Sequence, residues 1–312
     1  MKSALTERLC SYDQLDLDAR GKPTQEYVEL YKVWSQGKIG IIVLGNIPIH
    51  REYLEAMGNA IIDKDSPWDP VEAFKPAIAT AKTHGSLVIG QLTHAGRQTP
   101  LDVNPNPVSA SESQSPPCFG MSFGQARALS LDEVHNLRLT SFESYEKHSF
   151  IDGGFTKEDS QMMAVRLEAM GVELLELSGG TYELMPFEEK KASTLRREGF
   201  FLEFADGIRP HLTGASVLAV TGGFRTLEGM ASAVSSTQRT CDLVGLGRPL
   251  VFEPHFVADL LAGKTKQAKI LAFDSMFLAV AYHVLKLIAH QQPIPDLEDE
   301  NIAKEIIELV ST

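Results

Sequence analysis

Five short apolar runs, each closed by glycine or a polar residue, punctuate the chain: residues 40–46 (GIIVLGN), 86–94 (SLVIGQLTH), 174–180 (LLELSGG), 216–223 (SVLAVTGG) and 243–248 (LVGLGR). A strand with one face in water alternates apolar and polar residues. A strand covered on both faces is apolar throughout, as in a parallel sheet flanked by helices. Residues 2–6 read as a clipped first strand, which makes six strands in all.

Helical signals fall between these runs. Asp69-Pro70-Val71-Glu72 supplies an N-cap, a proline at the first helical position and an acid in the first turn. Ser130-Leu131-Asp132-Glu133 has the capping-box spacing, as does Thr156-Lys157-Glu158-Asp159 with Asp in place of Glu. Strands alternating with helices predict a parallel α/β fold. Residues 99–129 break the pattern with Pro100, Pro105, Pro107, Pro116 and Pro117 among many Ser and Asn. They predict a long loop, which composition alone assigns neither to a lid nor to disorder.

Composition excludes several classes. A formal charge of −12 makes a poor partner for a phosphate backbone, so no nucleic-acid binding is expected. Cys10, Cys118 and Cys241 lie far apart with no zinc spacing, so neither a disulfide framework nor a metal site is expected. The start of the sequence has no apolar signal region, and a cytoplasmic protein is the simplest reading. Residues 270–289 are the most apolar stretch, but Asp274, His283 and Lys286 interrupt it. The spacing of Phe273, Phe277, Val280, Val284, Leu287 and Ile288 predicts a packed helix and no membrane span.

Two strand ends carry the strongest chemical signal. Val220-Thr221-Gly222-Gly223-Phe224-Arg225 closes one strand, and Val244-Gly245-Leu246-Gly247-Arg248-Pro249 closes the next. Glycines let backbone N–H groups approach an anion, and a barrel commonly binds phosphate at its last two strand–helix loops. The competing reading is that these glycines only make tight turns. Gln91 and His94 sit at another strand end, where a Gln amide offers both a donor and an acceptor to a ring imide edge. A polar strand end bonded to a loop is the alternative for Gln91, and a structural role is favoured for His94. There is no HExxH, GxSxG, Walker A or GxGxxG pattern.

The ordered series SALTERL, GNAII, QLTHAGRQ, NPNPVSASE, GGFT, ELSGGTYE, FFLEFADGIRP, TGGFRT and GLGRP resembles the old yellow enzyme family, in its fungal NADH:flavin oxidoreductase branch, over residues 2 to about 256. The resemblance implies a TIM (β/α)8-barrel that binds FMN without a covalent link, in residues 1–256, followed by a C-terminal helical extension, residues 257–312. It implies flavin contacts at Ala4, Leu5 and Thr6, with the Thr6 hydroxyl near flavin N5/O4, and at Gly45. It implies Gln91 on the pyrimidine edge, and Gly222, Gly223, Phe224, Gly247 and Arg248 around the phosphate. The family reaction is ping-pong: NADPH or NADH reduces FMN, which then reduces an activated alkene such as an enone. No metal is implied.

The chain also departs from the family. The leader before strand 1 is not seen. Residues 150–156 resemble the family's segment just after strand 5, although they come directly after the helix that starts at Ser130. A seam is placed near residues 142–149, with strands 4 and 5 missing. The family's His/Asn pair for the substrate carbonyl and its proton-donating Tyr are lost with them, so no catalytic residue is assigned. Tyr182 is a weak substitute, more readily read as a packing residue. Three readings are open: an impaired flavin oxidoreductase; a catalytically inactive pseudoenzyme or mis-spliced product that keeps part of the phosphate site; and, least supported, another phosphate-binding barrel enzyme. Exposed barrel edges suggest homo-oligomers.

Overall fold

The computed structural model describes residues 1–118, 120–138, 156–178, 201–235, 239–273 and 278–311. The seam at 142–149, Gly179, Gly180 and Tyr182 lie outside them. The strands are β1 (Ile41–Pro48), β2 (Leu87–Thr93), β3 (Val108–Ser109), β4 (Arg127–Ala128), β5 (Leu174–Leu177), β6 (Val217–Thr221) and β7 (Leu243–Gly245). The five apolar runs are thus β1, β2, β5, β6 and β7, and every pairing among them is parallel. The chain divides into two compact units, each discontinuous in sequence.

One unit comprises Met1–Ser3, Tyr145–Pro249 and Asp259–Ala268. Its sheet has the order β5-β6-β7. Leu218, Ala219 and Val220 at its centre are fully buried, which is why this run carries no polar residue. The clipped first strand survives as a parallel bridge between Lys2 and Leu246, with Ser3 N–H donating to Leu246 O and Leu246 N–H to Met1 O. The helix Lys157–Ala169 opens on the expected capping box, in which Thr156 Oγ1 accepts from Asp159 N–H and Asp159 accepts from Thr156 N–H. Asp242 ties the sheet to the helix side: it accepts from Leu218 N–H at 2.7 Å and from Arg209 at 2.8 Å.

The other unit comprises Ala4–Ser144, Leu250–Ala258 and Lys269–Thr312. Here β1 pairs with β2. The helix Gln25–Gln36 buries Tyr27, Leu30, Tyr31 and Trp34, spaced to share one helical face, and Trp34 Nε1 donates to Leu250 O at 2.9 Å. The helix Pro70–Ala81 starts where Asp69 caps Val71 N–H. The stretch 99–129 is a folded excursion: β3 pairs with β4, and Val103, Val108, Phe123 and Ala126 are buried. The apolar stretch near the C-terminus forms the helix Leu278–Ala289, with Val280, Val284, Leu285 and Ile288 buried. Among the described residues no helix is long and apolar enough to cross a membrane.

Candidate functional site

In the unit that holds β5–β7, the two glycine turns leave the C-terminal ends of neighbouring parallel strands. Thr221 is in register with Gly245. Gly222 and Gly223 take φ values of 115° and 84°, in the region that only glycine enters without strain. Phe224 is buried, while Gly222, Gly223, Gly247 and Arg248 are partly exposed. Among the described residues, the backbone N–H groups of Gly223, Phe224 and Gly247 make no hydrogen bond, while that of Gly222 falls in the β6–β7 ladder. Partly buried N–H groups are normally paired, so these three donors on neighbouring turns have capacity left for an acceptor. The helix Leu227–Val234 comes immediately afterwards, its N-terminus capped by Thr226, whose Oγ1 accepts from Gly229 N–H at 3.0 Å. Gly245 is fixed by packing: a Cβ there would fall 2.5 Å from Ser3 Oγ and against Thr221 Oγ1. Those hydroxyls are 2.7 Å apart, and Thr221 donates to Glu176 at 2.6 Å.

In the unit that holds β1 and β2, the strands fall out of simple register at one place. Leu44 pairs with Gly90 and Ile47 with Leu92, so Gly45 and Asn46 together oppose Gln91. This is a β-bulge, a device that re-aims side chains. Asn46 sits there at φ 26°. Its Nδ2 donates to Glu55 Oε2 at 2.9 Å and to Thr6 Oγ1 at 3.2 Å, and its Oδ1 accepts from Thr93 Oγ1 at 2.6 Å. Thr6 in turn donates to Glu55 Oε2 at 2.8 Å. The Gln91 amide makes no hydrogen bond among the described residues and is partly exposed, so it keeps both its donor and its acceptor for a ligand. Gly45 N–H is already committed to Tyr31 OH at 2.9 Å, and Tyr31 OH donates to Glu7 at 2.7 Å. Ala4 and Leu5 are half-buried beside it.

His94 lies just beyond β2 and turns to another environment. Its ring packs on Tyr53 at 4.9 Å, and Gly96 N–H donates to Nδ1 at 3.0 Å. Burial, helped by nearby His50, lowers its pKa to about 4. The ring is therefore neutral near pH 7, and its Nε2 is buried without a hydrogen-bond partner among the described residues. Asn46 and Glu55 were not expected in the site. The one sequence hint was Asn46 closing an apolar run. No cluster of His, Cys, Asp or Glu that could hold a metal occurs among the described residues.

One unit thus carries two glycine-rich turns at the ends of parallel strands, and the other carries a side-chain amide at a strand end. No protein-family model matches the chain. In fold it is similar to 2-naphthoyl-CoA reductase (TM-score 0.71, 14% identity, 98% of this chain and 55% of that one). It is also similar to the old yellow enzyme homologue from Zymomonas mobilis (0.58, 18%, 86% and 90%) and to morphinone reductase (0.59, 14%, 88% and 88%). The chain spans about half of the naphthoyl-CoA reductase. In sequence it is 28% identical to the NADH-dependent flavin oxidoreductase nadA of Aspergillus parasiticus, over 88% of this chain and 78% of that one. It is 26% identical to the NADH-dependent flavin oxidoreductase iccE of Talaromyces variabilis, over 72% and 75%. In sequence the chain is thus similar to NADH-dependent flavin oxidoreductases, and in fold to enzymes of the old yellow enzyme kind, which are TIM barrels.

Proposed function

We propose that the protein is an FMN-dependent NAD(P)H oxidoreductase of the ene-reductase kind, with impaired turnover. The observation that carries the cofactor is the set of three unpaired N–H groups at Gly223, Phe224 and Gly247. A phosphate monoester brings a double charge and several acceptor oxygens to such a set. Arg248 comes next in the chain and adds a cation to this end. The free Gln91 amide suits the alternating donors and acceptors of a flavin pyrimidine edge, and Ala4, Leu5, Thr6 and Gly45 complete the contacts. Assigning both sets to one cofactor rests on the ordered family motifs. When bound, the flavin supplies the redox chemistry between a nicotinamide and an activated alkene. The chain's own part is to bind and orient it. We retain residues 1–256 as the flavin domain and 257–312 as its helical extension.

Impairment rests on the central segment. Aligned with nadA, 88% of this chain, about 275 residues, is spread over 349 positions, so about seventy positions of that relative meet no residue here. With iccE, 72% of the chain, about 225 residues, is spread over 313 positions. Among the described residues between Thr93 and Leu174, no strand joins either of the larger sheets. Both observations support a barrel without strands 4 and 5, and hence without the groups that grip and protonate an enone. Losing one such positioned donor typically costs about 10²–10³ in rate. An inactive flavin-binding remnant is the second reading, favoured by the same gap. Sequencing the transcript across codons 142–149 separates a natural variant from a skipped exon. The purified protein is expected to be yellow and to bleach with NADH or NADPH, but to reoxidise slowly or not at all with cyclohexenone. Colourless protein, or fast turnover, contradicts the proposal. The outer edges of β2 and β5 are proposed to pair between copies, which sedimentation would detect as a dimer.

A further inference from the structure

Thr6 has one hydroxyl proton, and Glu55 takes it. Asn46 donates to the Thr6 oxygen, so one of its lone pairs is also used. What remains to Thr6 is a single acceptor site. The arrangement is built rather than incidental. Asn46 is clamped from both ends, by Glu55 and Thr93, in a bulge with positive φ. Glu55 sits in a loop whose flanks are fixed: Leu54 is fully buried, Ala56 N–H donates to Asn59 at 2.6 Å, and Gly58 O accepts from Cys10 N–H at 3.0 Å. The Glu55 charge also reaches Tyr282, whose ring lies against the Arg8 guanidinium at 4.6 Å.

We propose that Glu55 is a positioning residue that fixes the hydrogen-bonding role of Thr6 toward the flavin, leaving Thr6 able to accept but not to donate. This rests on the FMN-binding reading of the site. A hydroxyl that donates to the flavin O4 carbonyl stabilises the reduced ring, because negative charge on that oxygen grows on reduction. A hydroxyl held the other way forfeits this stabilisation, so Glu55 lowers the flavin's midpoint potential through Thr6. Glu55→Met keeps the length of the side chain, removes the acceptor and frees the Thr6 proton. Glu55→Leu, which also removes the acceptor, serves where the Met variant does not fold.

The test is a spectroelectrochemical titration of the FMN-loaded full chain, alongside FMN affinity and the melting temperature of the apoprotein. The variant's potential is expected to rise by about tenfold in the oxidised-to-reduced equilibrium, about 30 mV for a two-electron couple. In a Thr6→Val background the same Glu55 change is expected to move the potential by less than half as much, because the residue it acts through is gone. A merely structural role would shift the melting temperature and leave the potential alone. Wild type that binds FMN, with a potential unchanged by the Glu55 variants or equally changed without Thr6, overturns this inference alone. Wild type that takes up no FMN overturns the proposed function and the inference with it.

Discussion

Gly45 and Leu5 approach so closely that a Cβ on Gly45 would lie 2.6 Å from Leu5 N and against the Leu5 carbonyl oxygen. The neighbour is backbone and cannot swing aside, and Glu7 Oε1 would be 2.5 Å away. Gly45→Ala is therefore expected to destabilise the protein by about 1–3 kcal/mol, the usual cost of overpacking a tight site. Thermal denaturation of the apoprotein checks this; an unchanged melting temperature would show that the two segments are not in this contact.

Gln91 gives the opposite expectation. Its amide has no partner among the described residues, so Gln91→Ala should leave apoprotein stability within about 0.5 kcal/mol. FMN affinity should fall by about tenfold, the value of one or two hydrogen bonds to a ligand. Fluorescence titration of FMN reads the second quantity and a melting curve the first. A loss of stability with unchanged affinity would return Gln91 to the role of a polar strand end.

His94 predicts a pH dependence. Gly96 N–H donates to its Nδ1, which requires that nitrogen to be unprotonated, and burial lowers its pKa to about 4 from 6.5. The unfolded chain therefore binds the extra proton between these values and the folded chain does not. The contribution to stability is fully present above about pH 6.5 and is lost as pH falls toward 4, by up to about 3 kcal/mol. Denaturant melts of wild type and His94→Gln across pH 4–7 should show a flatter profile for the variant over this window.

The parallel architecture was legible in the sequence because burial on both faces forces runs such as 41–44 and 217–220 to be apolar throughout. The helix starts at Asp69, Ser130 and Thr156 were legible because a cap and its partner lie within three residues of each other. The tight turn after β6 was legible because glycine was needed at two positive φ angles, Gly222 and Gly223. The Thr6–Asn46–Glu55 cluster was not. Its members are separated by up to 49 residues, and they meet only because a bulge opposite Gln91 turns Asn46 toward Thr6. The structured course of residues 99–129 was equally hidden, because its order comes from a few buried side chains, Val103 and Phe123 among them, and not from periodicity.

Arg248 separates charge from shape at the proposed phosphate end. Arg248→Met is expected to weaken FMN binding by about 10- to 100-fold, the value of a charge-assisted hydrogen bond, and to leave riboflavin binding unchanged. Equal losses for both ligands would place Arg248 away from the phosphate.

The most direct measurement is a paired titration of the purified full-length apoprotein with FMN and with riboflavin, followed by flavin fluorescence. The two ligands share the ring and differ in the phosphate. Saturable FMN binding at least about 100-fold tighter than riboflavin is predicted, because the phosphate would add charge-assisted hydrogen bonds at the proposed donors. Equal affinities, or no binding of either, would contradict the account.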